Sequence, residues 1–181
     1  MGLANKIISN ESAALEVLHS LDGDSSLSTD EKIDRLELWM CGNGLLVDLE
    51  TYHVFTPGLV SRTIFMPKGT FLTSRIHRHD HQYAIVSGAC SVFIDGVGVE
   101  YLEAPYVGTT KSGSRRVLYI HEDTVWVTFH PSQTLTVEDF EAEAFEDRKI
   151  LGDLTSHQLH LSITEELRAA IESGELKELV A

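Results

Sequence analysis

Apolar and polar positions follow three successive patterns along the chain. In the first fifty residues the apolar side chains recur every three or four positions, the period of an amphipathic helix. Ala14, Leu15, Leu18 and Leu21 fall on one face, with Asn10 placed to cap the segment, and Asp22-Gly23-Asp24-Ser25-Ser26 ends it as a loop. Ser28 and Glu31 stand at capping-box spacing before a second helix carrying Ile33, Leu36 and Met40, which Gly42-Asn43-Gly44 stops. From Leu45 to Pro131 short runs rich in Val, Ile, Phe, Tyr and Thr alternate with turn signals such as Pro57-Gly58, Pro67-Lys68-Gly69, Asp95-Gly96 and Ser112-Gly113. Asp95-Gly96, between Ser91–Ile94 and Val99–Leu102, predicts a hairpin. About eight strands with no helical period between them predict a sandwich or small barrel. After Pro131 the helical period returns. Thr136 can cap a helix bearing Val137, Phe140 and Ala144, and Thr164 a last helix bearing Leu167, Ala170 and Ile171 that Gly174 interrupts. The chain thus divides into a helical extension (1–44), a β region (45–131) and an acidic helical extension (132–181).

The 181 residues suit one domain with extensions, and 43% hydrophobic with 23% charged residues is an ordinary globular mix. A chain of this length buries roughly 70% of its unfolded surface, enough to fold without disulfide or zinc staples. No apolar run approaches the ~18 residues of a membrane span. Met1-Gly2-Leu3-Ala4-Asn5-Lys6 holds no apolar signal core, and Lys6 sits where a myristoylation motif needs Ser or Thr. Cys41 and Cys90 make no disulfide framework, so a reducing, intracellular setting is expected.

The net charge of −14 is unevenly spread. Residues 1–50 hold three basic and ten acidic groups (−7), residues 51–131 seven and six (+1), and residues 132–181 four and twelve (−8). The acid lies in the flanks, where solvated helices accommodate it. Such a field repels phosphates, so neither nucleic acid nor a membrane surface is an expected partner.

Three of the nine histidines fall within His77-Arg78-His79-Asp80-His81. On a continuous strand their imidazoles would share one face, where they could meet around a metal ion. A polar, hydrogen-bonded strand end is the plainer alternative. The metallo-β-lactamase pattern H-x-H-x-D-H is one residue longer than the order here, and the helices that fold places between its strands are absent.

Gly69, Arg75, His77, His81 and Gly88 reproduce the intervals of G-x5-H-x-H-x3-4-E-x6-G, and this region resembles the first motif of the cupin superfamily. Arg75 replaces the first His and His81 the Glu. A second register, with His77 and His79 as the H-x-H pair, places Tyr83 or Ala84 at the Glu position and spoils the first glycine spacing. The second cupin motif is matched weakly through Gly113 to Arg116, with Lys111, Arg116 and Ile120 replacing its Pro, His and Asn. Ile76-His77-Arg78, Ala104-Pro105, Gly113-Ser114-Arg115-Arg116 and His121-Glu122-Asp123-Thr124, followed by Trp126 and His130-Pro131, also resemble small cupin-like proteins encoded in bacteriophage genomes. The resemblance covers residues 45–131 and implies a mainly β, jelly-roll-type double-stranded β-barrel with helical extensions at both ends. It also implies a divalent transition metal (Fe, Mn, Ni or Zn) held by His77 and His81 with a further ligand from His79, His121 or His130. The expected location is then the cytoplasm of a host cell, or a virion.

Arg75 at the first motif's first His and Arg116 at the second motif's His take positions that, by the resemblance, point into the barrel, two permanent cations that disfavour a metal ion and favour a small anion. Tyr83 joins them as a candidate ligand-binding residue. Glu103, Glu122 and Asp123 are the carboxylates that could neutralise them internally. Trp126 and His130 share parity on the strand Val125–Phe129, where a core Trp and a strand-end His are the simpler roles. Cys90 reads as a small buried hydrophobe. Three functions are consistent with these residues: a cupin that binds a small anion or a metal, a metal-dependent oxygenase, isomerase or lyase, and a structural phage protein using the fold for assembly. Helices with apolar faces beside a small barrel expose more hydrophobic surface than the barrel can cover, and cupins pair through outer strands, so a symmetric homo-oligomer is expected.

Overall fold

A computed structural model of the chain describes residues 2–23, 26–42, 49–146, 149–151, 154, 155, 160–162, 169, 170 and 172–180. Ten strands lie between residues 51 and 131, two more than the turn spacing predicts. Sheet A contains β1 (Thr51–Thr56), β2 (Leu59–Met66), β5 (His81–Ser87), β8 (Tyr106–Thr110) and β10 (Thr124–Pro131), in the order β1-β2-β10-β5-β8. Sheet B contains β3 (Thr70–Thr73), β6 (Ala89–Ile94), β7 (Gly98–Glu103), β9 (Arg116–Ile120) and β14 (His160–Ser162), in the order β14-β3-β9-β6-β7. All neighbouring pairs are antiparallel. Two five-stranded sheets whose strands alternate between them make a jelly-roll sandwich, the cupin-like double-stranded β-barrel.

The period-two alternation explains the layers. On β2 the residues Val60, Arg62, Ile64 and Met66 point inward, and on β10 Thr124, Trp126, Thr128 and His130 do. Between the sheets Ile64, Met66, Leu72, Ile85, Val92, Leu118 and Trp126 form the barrel core. Cys90 is wholly buried there, and burial pushes its thiol up to about 12, the inert small hydrophobe expected.

The outer face of sheet B is covered by helices. Phe71, Phe93, Val117 and Tyr119 pack against Ala14, Val17 and Leu18 of α1 (Gly2–Ser20), Leu21 just beyond it, and Ile33, Leu36 and Met40 of α2 (Thr29–Gly42). The predicted apolar stripes are therefore the docking stripes. α1 begins at Gly2, so Asn10 lies inside it instead of capping it; an interior Asn costs well under 1 kcal/mol, too little to start a new helix. Ser28 and Glu31 form the expected capping box, with Ser28 N–H donating to Glu31 Oε2 at 2.8 Å and Glu31 N–H to Ser28 Oγ at 3.3 Å. Gly88, the last glycine of the cupin-like motif, has φ +86°, and a Cβ there would lie 2.4 Å from the Asp123 carbonyl oxygen.

The C-terminal segment departs from the helical expectation. Thr136 caps α3 (Val137–Ala144) as predicted, accepting from Asp139 N–H. Strand β11 (Phe145–Glu146) then pairs with β4 (Ile76–His77), β12 (Lys149–Leu151) pairs with β13 (Leu154–Thr155), and β14 joins sheet B beside β3. Residue 131 is thus not the end of the β structure. The helix expected from Thr164 falls mostly outside the described residues. Gly174, at φ +84°, precedes α4 (Glu175–Val180), which packs on α1 and α2. Among the described residues no helix is long and apolar enough to cross a membrane.

Candidate metal and anion site

The His77–His81 segment is not one strand. β4 ends at His77, residues 78–80 turn, and β5 starts at His81. Several bonds hold the turn: Gly113 N–H donates to the His77 carbonyl (2.9 Å), and Ser112 donates through its backbone to Asp80 and through its hydroxyl to the Arg78 carbonyl. Arg78 is tied to α3 and β11, its backbone N–H donating to the Ala144 carbonyl and its Nε to the Phe145 carbonyl. The consequence is that His77 and His81 face each other, ring centroids 4.2 Å apart, while His79 projects outward and is exposed. His130 of β10 stacks on His81 at 4.3 Å and closes the triad. One ring nitrogen or more from each of His77, His81 and His130 lies within 4.8 Å of the others.

Burial shapes the chemistry of this triad. It depresses His77 well below the ordinary imidazole value, His81 to about 4 and His130 to about 3, with mutual repulsion adding to the effect for His77 and His130. All three are neutral at pH 7 and keep a lone pair. His81 Nδ1–H donates to the His79 carbonyl at 3.3 Å, which leaves Nε2 as the free lone pair. That Nε2 and His77 Nδ1 are buried without a hydrogen-bond partner, while His130 Nε2 bonds Thr128 Oγ1 at 2.9 Å. Three neutral nitrogens, two of them orphaned, are a donor set that fits a divalent transition ion.

Beside the triad lies a cavity of about 50 Å3, lined by Arg62, Arg75 and Arg116 together with His77, His81, Trp126 and Phe145. No carboxylate is among its described lining residues. Arg116 opens β9, donates from Nη2 to the Thr109 carbonyl (3.2 Å) and lies 4.8 Å from the centre of the Tyr83 ring. Arg75 lies over the Phe145 ring at 4.1 Å and pairs with Glu141 of α3 at 3.3 Å. Arg62, inward on β2, is lowered to about 10 by burial and by Arg75, and so stays charged. Among the described residues the walls therefore carry three guanidiniums, with the Glu141 carboxylate at the rim.

The predicted residues sort clearly against this geometry. His77, His81 and His130 come together; His79 does not, because the strand assumed for 77–81 is broken after His77. His121 does not either. It sits under α1, its Nε2 2.7 Å from Ser91 Oγ and its Nδ1 2.7 Å from Glu11 Oε1. Arg75 and Arg116 both line the cavity, whereas Tyr83 stands behind Arg116 with its ring stacked on Trp126 at 4.3 Å and is not in the wall. Glu103, Glu122 and Asp123 face solvent, and the carboxylate that meets Arg75 comes from beyond the predicted barrel. Arg62 and Glu141 are the residues missed. An arginine in phase with Val60, Ile64 and Met66 was the available signal for Arg62; Glu141 had none. His53 is half-buried against Phe140.

The fold is cupin-like. Solved structures similar to this chain include KdgF from Halomonas sp. (18% identity, 48% of this chain and 89% of that one, TM-score 0.40) and the cupin domain of Cnp3 from Schizosaccharomyces pombe (17%, 54% and 69%, TM-score 0.40). An oxalate decarboxylase from Bacillus subtilis is also similar (14% identity, 54% of this chain, TM-score 0.42), although the match spans only 28% of that longer chain. No family model and no curated protein matches the sequence.

Proposed function

We propose that the barrel binds a divalent transition metal on His77, His81 and His130 together with a small oxyanion, a carboxylate or a phosphate, on Arg62, Arg75 and Arg116. One observation carries this reading: two buried imidazole nitrogens without partners open beside a cavity walled by three guanidiniums, with no carboxylate among its described lining residues. A metal ion alone would face three fixed cations, and an anion shared between the ion and the guanidiniums offsets that repulsion. Planar guanidiniums suit the two-oxygen edge of such an anion. About 50 Å3 has room for roughly three or four water-sized occupants, which favours a ligand of a few heavy atoms. When bound, the ion would supply Lewis-acid polarisation of the anion. The chain's own contribution is to orient the anion on the arginines and to keep the imidazoles neutral and fixed.

Catalysis by this site would require a proton carrier. The described lining residues offer none besides the imidazoles, and Glu141, the carboxylate at the rim, is held by Arg75. Binding is therefore the primary reading, ahead of an oxygenase, isomerase or lyase. A second reading, an accessory phage protein built on the fold for assembly, is favoured by one observation: Tyr52, Val54 and Val107 on the outer face of sheet A are each more than half exposed. The test is Co2+ titration followed by its visible absorption, with and without formate, oxalate and phosphate. One ion per chain and an anion-dependent spectrum are expected, and Arg116→Met should weaken the anion response at least tenfold. Well under one ion per chain, or a spectrum indifferent to every anion, would sink the proposal.

A further inference from the structure

Behind the cavity wall one ring is fixed from more than one side. Tyr83, inward on β5, is buried. Its ring stacks on Trp126 at 4.3 Å with the planes 12° apart. Its register partner on β8 is Gly108. A Cβ at Gly108 would stand 2.6 Å from both the Cζ and the hydroxyl oxygen of Tyr83, closer than Cβ contacts come. A glycine inside a strand weakens it and often marks a close approach. Here the Tyr83 ring makes that approach, and Trp126, stacked on it, limits its withdrawal. What the ring carries is Arg116. The guanidinium carbon lies 4.8 Å from the ring centre, and Nη2 donates to the Thr109 carbonyl at 3.2 Å. Arg116 Nε is buried with no hydrogen-bond partner among the described residues. Burial pushes the Tyr83 hydroxyl up to about 12, so at neutral pH the ring is an uncharged aromatic face and not a counter-ion. Arg116 is thus seated on a face and a carbonyl, and its charge stays available to the cavity it lines.

We propose that Tyr83 is a positioning residue for the anion: without touching it, the ring holds the Arg116 guanidinium in place, and the bare backbone of Gly108 is what admits the ring. The proposal rests on the anion site described above. Its physical content is preorganisation. A long arginine side chain has many rotamers, and freezing them on binding subtracts from affinity. An arginine already fixed by a ring and a carbonyl has given up that freedom on folding, so the anion meets a donor in place. The arginines of the wall are held differently. Arg116 rests on β5 and β8 of sheet A, whereas Arg75 rests on Phe145 and Glu141 of the C-terminal segment. A change at Tyr83 or Gly108 therefore reaches Arg116 and spares Arg75.

The test uses the full chain and two readouts. Nuclear magnetic resonance of the protein alone follows the Arg116 Nε–H signal. A proton over an aromatic face is shifted upfield, so the wild type should show that shift, Tyr83→Phe should keep it and Tyr83→Leu should lose it. The Arg75 signal, over the Phe145 ring at 4.1 Å, should stay unchanged in both variants. Calorimetry of the Co2+-loaded protein follows phosphate. Tyr83→Leu should weaken phosphate binding at least tenfold and Tyr83→Phe less than threefold. Gly108→Ala should also weaken it at least tenfold, because its Cβ displaces the ring. Added to Tyr83→Leu, it should weaken binding no further, since no ring is left to meet it; losses from general destabilisation would accumulate instead. If Tyr83→Leu fails to fold, Gly108→Ala supplies both readouts. An unshifted Arg116 signal in the wild type, or equal phosphate affinity in the wild type, Tyr83→Leu and Gly108→Ala, overturns the role of Tyr83 and leaves the anion site standing. A wild type that binds no anion although its Arg116 signal is shifted overturns the anion site, and the role of Tyr83 with it.

Discussion

Replacing Arg115 by Met should be among the most damaging single changes in the helical layer. Arg115 is 3% exposed and lies at the seam between α2 and the start of β9. It meets three carboxylates: Asp34 at 2.6 Å, Glu37 at 2.9 Å and Asp30 at 3.5 Å. Glu37 is wholly buried, and burial raises its carboxyl despite the opposing pull of Arg115. Arg115→Met removes that pull and strands a buried carboxylate beside Asp34, for which breaking a buried pair sets a loss of about 3–5 kcal/mol. Glu37→Gln is milder, about 1 kcal/mol, because Arg115 keeps Asp34 and Asp30. The double variant Arg115→Met, Glu37→Met should recover most of the loss, since the fully buried carboxylate is gone and Asp34 and Asp30 reach solvent. The pH dependence follows from the direction of the Glu37 shift. Its folded value lies above the usual carboxylate range, so its contribution to stability is present in acid and is lost as pH rises through the folded value. Without Arg115 that value climbs further, so the single variant should weaken with rising pH more steeply than the wild type. Urea unfolding followed by tryptophan fluorescence measures all of this, with Trp39 on α2 and Trp126 in the barrel reporting from separate layers. A single-variant loss under about 1 kcal/mol, or a double variant no better than the single, would refute the argument that the seam is held by one shared cation.

Two further outcomes are expected. His81→Ala and His130→Ala should each reduce metal bound after reconstitution at least tenfold, whereas His79→Ala and His121→Ala should leave it unchanged; elemental analysis decides. Gly88→Ala should cost several kcal/mol or prevent folding, because it combines a left-handed backbone with a 2.4 Å approach to the Asp123 carbonyl, and Gly69→Ala, with a φ of +82° but no atom within 4 Å, should cost less; thermal melts of the two variants give the comparison.

The barrel was legible in the sequence because its turns are chemically explicit and its strands alternate cleanly, as β2 and β10 do. The helices were legible from their stripes and from the Ser28–Glu31 box. The site was legible only where its residues are close in sequence. Gly69, Arg75, His77, His81 and Gly88 lie on one motif, but the third imidazole, His130, is 49 residues beyond His81, and only the pairing of β10 with β5 unites them. His79 was misplaced by assuming a continuous strand, when tertiary bonds from Ser112 and Gly113 bend the chain there. Glu141 and Phe145 reach the cavity because β11 pairs with β4, a contact two residues long that leaves no periodic trace. The strands of 145–162 were missed for the same reason: short edge strands take their conformation from the partner they join, not from a pattern of their own.

The pairing of β14 with β3 also sets a schedule for synthesis. Leu72 finds its neighbour His160 across roughly 90 residues of chain, so at about 5–20 residues per second the edge of β3 stays open for some 5–18 seconds after it leaves the ribosome. During that interval the residues around Phe71 and Leu72 present unpaired backbone groups to any other nascent copy, the condition under which strands join the wrong chain. A ribosome that stalls between these two points would release a barrel open along one side. Slowing translation within residues 80–160 should therefore lower the soluble yield more than slowing it before residue 50.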